Sequence, residues 1–140
     1  MEWLKGTLEI RTNGKGMTDI TALIENQVTV WGIRDGMCFV YLPHASASLT
    51  ISESYDPTSR QDVEAYYEHA VPEGQPWYRH TLEGRDDSPS HIRATLTQPS
   101  LSVPIDGGHL SLGTWQGIFL FEHRSRPHRR TLHLRCLKAS

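Results

Sequence analysis

Residues Leu112-Gly113-Thr114-Trp115-Gln116-Gly117-Ile118-Phe119-Leu120-Phe121-Glu122-His123-Arg124 read as an extended strand ending in a carboxylate, an imidazole and a guanidinium. Successive side chains of a strand face opposite sides, so a half-buried strand alternates apolar with polar residues. A run that places Trp, Gln, Glu, His and Arg this close together is not an ordinary core strand. Its charged end suggests the floor of a pocket for a charged ligand. Gly113 near the bulky Trp115 marks a close backbone approach or a bulge.

Outward from this run, the chain alternates strand and helix patterns. Ser100 to Ile105, Leu110 to Phe121 and Thr131 to Leu137 read as three late strands. Near the start, Leu4 to Arg11 reads as a strand with Leu4, Leu8 and Ile10 on one face, followed by the turn residues Asn13-Gly14-Lys15-Gly16. A helix capped by Asp19 is expected next, because Ile20, Leu23, Ile24 and Val28 fall at helical spacing. Met37 to Leu42 has the nearly continuous apolar character of a central strand. Beyond Pro43, the residues His44 to Ile51 alternate, with His44, Ser46, Ser48 and Thr50 sharing a face. Asp56-Pro57 then opens a helix to about Val71, with Val63, Tyr66, Tyr67 and Ala70 as its apolar stripe.

Pro72 to Pro89 lacks sustained periodicity and reads as a long loop, of the kind that is functional or disordered. Because it holds Trp77, Tyr78 and His80, a functional loop is expected. Pro89 fits the first turn of a short helix carrying His91, Ile92 and Leu96. There is no internal repeat, low-complexity tract or linker. The pattern predicts one domain over residues 1–140, of α+β class, with helices on one face of a largely antiparallel sheet.

At 140 residues the chain can bury roughly two-thirds of its unfolded surface and hold a core without staples. Cys38 and Cys136 each lie in an apolar run, as buried thiols of a reducing compartment do. No basic, apolar and cleavage-site succession opens the chain, and no apolar run approaches the roughly 20 residues of a membrane span. A cytoplasmic location without a membrane partner is therefore expected. A formal charge of −2 argues against nucleic acid as a partner. The local exception is the cluster Arg124, Arg126, Arg129 and Arg130, which reads as a solvated loop, an anion-binding extension or a subunit contact.

Four of the eight histidines stand at positions suited to chemistry: His44, His80, His91 and His123. Imidazole is a common metal ligand and a general acid or base near neutral pH. No short metal-binding motif is present, so any site must be assembled from distant segments. The loop Glu83-Gly84-Arg85-Asp86-Asp87-Ser88-Pro89-Ser90-His91 offers carboxylates beside an imidazole, a set that suits a divalent cation. Asp87 and His91 sit four apart and can meet across a helical turn. The same acidic residues are also what the positive end of a helix favours. The hydroxyls of Ser46 and Ser48, with Arg124, describe an anion pocket. No Gly-x-Ser-x-Gly elbow or glycine-rich phosphate loop is found.

These same residues carry a resemblance. His44-Ala45-Ser46-Ala47-Ser48-Leu49-Thr50-Ile51 with Glu53 and Asp56, then Arg79-His80, Glu83-Gly84, Asp86-Asp87 and Pro89 with His91-Ile92, is similar to the YjbQ-like family, also described as the secondary thiamine-phosphate synthase family. Ser102-Val103-Pro104-Ile105, Gly108 and the block Leu112-Gly113-Thr114-Trp115-Gln116-Gly117-Ile118 leading to Glu122-His123-Arg124 extend the match over nearly the whole chain. The resemblance implies a compact α+β fold, a homotrimer and a weak thiamine-phosphate synthase activity. Ala45 stands where the family usually has Thr, and Ser90 where it usually has Ala; the Gln98-Pro99 stretch and the arginine-rich tail look particular to this chain.

The expectation is therefore an enzyme acting on a small phosphorylated molecule. His44, His80, His91 and His123 would hold a divalent metal, Zn or Mg. Glu53, Asp87 and Arg124 would be catalytic, Ser46 and Ser48 would orient phosphate oxygens, and Trp115 and Gln116 would contact substrate. The alternatives are a trimeric protein that binds a metal or phosphate ligand without catalysis, and a metal-dependent hydrolase of a small phosphorylated molecule.

Overall fold

The computed structural model describes residues 1–140. Its longest strands are of equal length, β1 (Glu2–Thr12) and β8 (His128–Lys138), which pair antiparallel end to end from Glu2↔Lys138 to Thr12↔His128. β8 also pairs with β3 (Gly36–Tyr41), β3 with β5 (Ser100–Asp106), and β5 with the short β6 (His109–Leu110), giving the order β1-β8-β3-β5-β6. A second sheet has the order β2-β7-β4, built from β2 (Gly16–Asp19), β7 (Gln116–Glu122) and β4 (Ala47–Glu53). Every pairing is antiparallel.

The expected α+β domain of antiparallel strands with helices to one side is observed, its strands divided between two sheets. Val40, Leu132, Leu134 and Val103 of the larger sheet meet Leu49, Ile118 and Leu120 of the smaller one in a single core of 19 buried residues. Helix α1 (Thr21–Val30) adds Ile24 and Val28 to that core. On the opposite face of the smaller sheet, Met17, Phe119 and Phe121 pack against Val63 and Tyr67 of α2 (Pro57–Ala70). Helix α3 (Asp87–Leu96) lies against β4 beside it. β7 is thus covered on both faces, which explains why Ile118 to Phe121 are uninterruptedly apolar.

Several boundaries differ from the sequence expectation, among them that of β8, which begins at His128 rather than Thr131. The turn at Gly14 feeds β2, too short for periodicity to reveal, and α1 begins only at Thr21. Asp19 is not the N-cap; it ends β2, and its Oδ1 still accepts the Thr21 N–H at 3.0 Å. The single strand expected from Leu110 to Phe121 is broken where the chain leaves one sheet for the other. Gln116 Oε1 braces that crossing by accepting the Gly113 N–H at 2.8 Å. His44 to Ser46 precede β4 rather than belonging to it, whereas α3 starts at Asp87 and carries Pro89 in its first turn as expected. Helix α2 opens as expected, with Asp56 accepting the Thr58 N–H and Pro57 in the first turn. No helix is long and apolar enough to cross a membrane.

Candidate metal centre

The start of α3 organises the site. Asp87 occupies the first helical turn, where a carboxylate meets the positive helix end, and the four-residue spacing puts His91 on the same face. Asp87 is buried, and the preceding loop folds back to lay His80 over it. His80 Nε2 lies 2.5 Å from Asp87 Oδ2, and His91 Nε2 lies 3.3 Å from that same oxygen. The three ligand-type atoms all fall within 4.8 Å of one another.

The other ring nitrogen of His91 fixes its tautomer. Nδ1 is 2.8 Å from the Ala45 carbonyl, which can only accept, so Nδ1 carries the proton. In its neutral form His91 then turns its Nε2 lone pair toward a carboxylate oxygen. Two acceptors facing each other require a proton or a cation between them. An imidazole anchored through one nitrogen to a backbone carbonyl and free at the other is how metal-ligating histidines are held.

Arg124 locks the carboxylates from behind. Its Nη1 donates to Asp87 Oδ1 at 2.6 Å, Nε to Asp86 Oδ2 at 2.9 Å and Nη2 to the Glu83 carbonyl at 3.0 Å. Burial pushes the Asp86 carboxyl up, but the Ser125 N–H and Arg124 outweigh it and hold the group down at about 2. The hydrogen bond to Asp86 and the charges around it raise Arg124 above its ordinary value. Arg124 is thus committed to positioning Asp86 and Asp87 and has little left for a ligand.

Beside His80 opens a cleft of about 330 Å³ that includes Gln75, Tyr78, Thr81, Arg85 and Ser88. Arg85 is three-quarters exposed and meets only Glu73, at 3.8 Å. It lies across Gly74, where an added Cβ would come within 2.3 Å of the guanidinium, so the missing side chain makes room for it. The cleft thus offers the loosely paired guanidinium of Arg85 and the hydroxyls of Thr81 and Ser88 next to the His–Asp cluster.

The remaining sequence candidates lie elsewhere. His123 is buried on the α-helical side of β7, its Nε2 2.8 Å from Ser48 Oγ and its Nδ1 without a partner. Burial, helped by the nearby Arg93 charge, drives its pKa down to about 3. His44 Nε2 accepts the Thr131 N–H at 2.9 Å, and burial followed by the Arg130 charge lowers its pKa. Its ring is therefore turned to the backbone. Ser46 Oγ accepts from Arg130 Nη2 at 2.9 Å, and Ser48 is bonded to His123 and Thr97. Of the four histidines expected to converge, the structure brings together His80 and His91, with Asp87.

Glu53, Trp115 and Gln116 stand at the far end of the β4–β7 pair. Six residues of strand separate Gln116 from Glu122, about 20 Å. Glu53 accepts the Tyr55 and Asp56 N–H groups of its own turn, and Trp115 packs edge-on against Tyr55 on the surface. Glu122, His123 and Arg124 do not floor one pocket either. Strand parity sends Glu122 inward with Ile118 and Leu120 and puts His123 on the face of Phe121, while Arg124, beyond the end of β7, reaches the start of α3. Glu122 is met inside by Thr12 Oγ1 and Arg130 Nε, each at 2.7 Å. Burial raises its pKa, while Arg130, Thr12 and the Arg124 N–H lower it further, so it stays ionised. That buried pair was within reach of the sequence, since Glu122 has the parity of the core residues.

Residues 6–139 match the family model of UPF0047 protein YjbQ-like. The chain belongs to the YjbQ-like UPF0047 family. Its UPF0047 relatives include protein sll1880 of Synechocystis, 46% identical over 123 residues that cover 88% of this chain and 84% of that protein. YjbQ of Escherichia coli O157:H7 is 40% identical over 123 residues, covering 87% and 88%. Among solved structures, the conserved hypothetical protein TT1486 of Thermus thermophilus superposes with a TM-score of 0.85 at 32% identity, over 94% of this chain and 99% of that one. The hypothetical protein APE1520 of Aeropyrum pernix superposes with a TM-score of 0.87 at 29% identity, over 99% of each chain.

Proposed function

We propose that His80, Asp87 and His91 hold a divalent metal ion and that this YjbQ-like domain is an enzyme acting on a small phosphorylated molecule in the adjoining cleft. The observation that carries the reading is the carboxylate oxygen shared between two imidazole nitrogens, one of them on a ring whose other nitrogen is tied to the Ala45 carbonyl. Two imidazoles and one carboxylate suit Zn²⁺ better than Mg²⁺, which prefers oxygen ligands. Three protein donors leave room for a further ligand. A bound divalent ion supplies charge neutralisation to phosphate oxygens.

The protein groups divide the work around that charge. Arg124 fixes Asp87 through its Oδ1 and leaves Oδ2 to the cluster. Arg85 takes the phosphate-facing role that the sequence pattern gave to Arg124, with the Thr81 and Ser88 hydroxyls as further donors. No uncommitted general base adjoins the cleft once His80 and His91 ligate, since His123 is buried and His44 is bound to the backbone. Such a site favours a reaction limited by departure of a phosphate group. The thiamine-phosphate synthase chemistry implied by the family resemblance is of this kind. In it the bond from the pyrimidine methylene carbon to diphosphate breaks, its electron pair leaves on the diphosphate oxygen, and the thiazole nitrogen forms the new bond to carbon. The homotrimer that the family resemblance implies is part of the same proposal.

The test is zinc titration of tag-free, metal-stripped protein by calorimetry, with turnover of a pyrimidine methyl diphosphate and a thiazole phosphate followed in parallel. One ion per chain is expected. His91→Ala should weaken its binding at least a hundredfold, and Arg85→Gln should raise KM several-fold without releasing metal. Zinc binding unchanged in a folded His80→Ala, His91→Ala double variant would overturn the metal site. A metal-loaded protein that binds phosphate esters and converts none of a broad panel would overturn the catalytic reading.

A further inference from the structure

Beyond Arg124, which is spent on Asp86 and Asp87, the arginine-rich tail forms a feature of its own. In the β1–β8 register Arg11 stands directly opposite Arg129. Like charges facing one another across an antiparallel pair destabilise it. The fold does not cancel this pair: Arg11 makes no side-chain hydrogen bond or ion pair, and Arg129 reaches only Glu9, at 3.7 Å with both side chains more than half exposed. An ion pair that open contributes little. Strand parity separates this arginine from its neighbour, because Arg130 points inward and is spent on Glu122.

Arg11 and Arg129, with Pro127 and His128, line a surface cleft of about 300 Å³ that has no carboxylate in its wall. His128 Nδ1 donates to the Arg126 carbonyl at 2.8 Å, so the ring is fixed while its Nε2 has no protein partner. The His128 N–H is held by Thr12 Oγ1 at 3.1 Å, which anchors the floor to β1. Paired residues in such a ladder have Cα atoms only about 5 Å apart, so two guanidinium groups can converge on one ligand. We infer that this cleft is a second anion site, built for a phosphoryl group carrying two negative charges. A monoanionic carboxylate would leave one guanidinium uncompensated. A phosphate dianion balances both, and its oxygens match the planar fork of each.

The site stands independently of the metal proposal, because none of its residues belongs to the cluster or its cleft. The experiment is histidine-detected NMR of the whole protein titrated with inorganic phosphate, the His128 ring signals being assigned through His128→Gln. A saturable shift of His128 is expected. Arg11→Gln and Arg129→Gln should each weaken it at least tenfold, while Arg126→Gln, outside the cleft, should change it less than twofold. Arg11→Gln should also leave the thermal midpoint unchanged or raised in phosphate-free buffer, which shows the fold intact. A His128 signal that stays still, a shift that never saturates, or equal weakening by Arg126→Gln would overturn the site. Affinity for DNA oligonucleotides that rises with their length and exceeds that for phosphate would overturn the small-ligand assignment in favour of nucleic acid.

Discussion

His123 shows how a single residue couples sequence to stability. Its ring is buried against Phe121 with centroids 4.5 Å apart, and its pKa is pushed down to about 3. In the unfolded chain the ring titrates near its ordinary value of about 6.5. Between those values the unfolded chain binds a proton that the fold refuses, so stability falls as pH drops, by about 1.4 kcal/mol per unit. Denaturant midpoints measured from pH 7 to pH 4 should show this slope, and His123→Gln should reduce it to the part that groups such as His44, also lowered, contribute. An unchanged slope in the variant would remove His123 as its source. Asp86 contributes in a lower window: its stabilisation is complete above its ordinary unfolded value and is lost only as pH falls toward about 2. Glu122→Gln makes a different prediction. It leaves the buried Arg130 without its counter-charge and should cost about 3–5 kcal/mol in unfolding free energy. Replacing both partners by apolar residues should cost less than the two single changes summed, as a double-mutant cycle would measure. Glu122 and His123 stood in plain view in the sequence, and parity put them on opposite faces, but that both faces of β7 are buried was not legible there.

Elements were legible wherever local chemistry set their ends. Asp56-Pro57 announced α2 and Pro43 closed the central strand, because capping and the missing proline N–H act within a few residues. β2 was hidden because four residues carry no period. The break between β6 and β7 was hidden because a chain crossing between sheets stays extended on either side. At this scale the closest backbone approach lies at Gly36 in β3, where an added Cβ would sit 2.0 Å from the Leu137 carbonyl oxygen. Gly36→Ala must therefore push β3 away from β8 and disturb a ladder in the middle of the larger sheet. A loss of more than about 2 kcal/mol is expected, in the range of serious core disruptions. A melting temperature within a degree of the parent would show that the two strands tolerate more separation than the packing implies.

At the scale of the molecule, the family and the α+β class followed from motifs spread along the chain, whereas the site did not. Four histidines looked equivalent in the sequence. The loop from Pro72 to Asp86 carries His80 to α3, while the sheet directs His44 and His123 to the backbone and to Ser48. Convergence depends on that three-dimensional path, which no spacing encodes. Asp87 and His91 were the exception, since a four-residue helical separation fixes their meeting locally. The metal site stands only if the atoms gathered at the start of α3 are ligands rather than partners in a self-contained hydrogen-bond cluster. The most direct measurement is anomalous X-ray scattering at the zinc edge from crystals of the protein grown with zinc. A peak is expected about 2.0–2.2 Å from His80 Nε2, His91 Nε2 and Asp87 Oδ2, with the His91 Nδ1 bond to Ala45 retained. A lattice saturated with zinc that shows no peak there, with His80 still bonded directly to Asp87, would contradict the metal site.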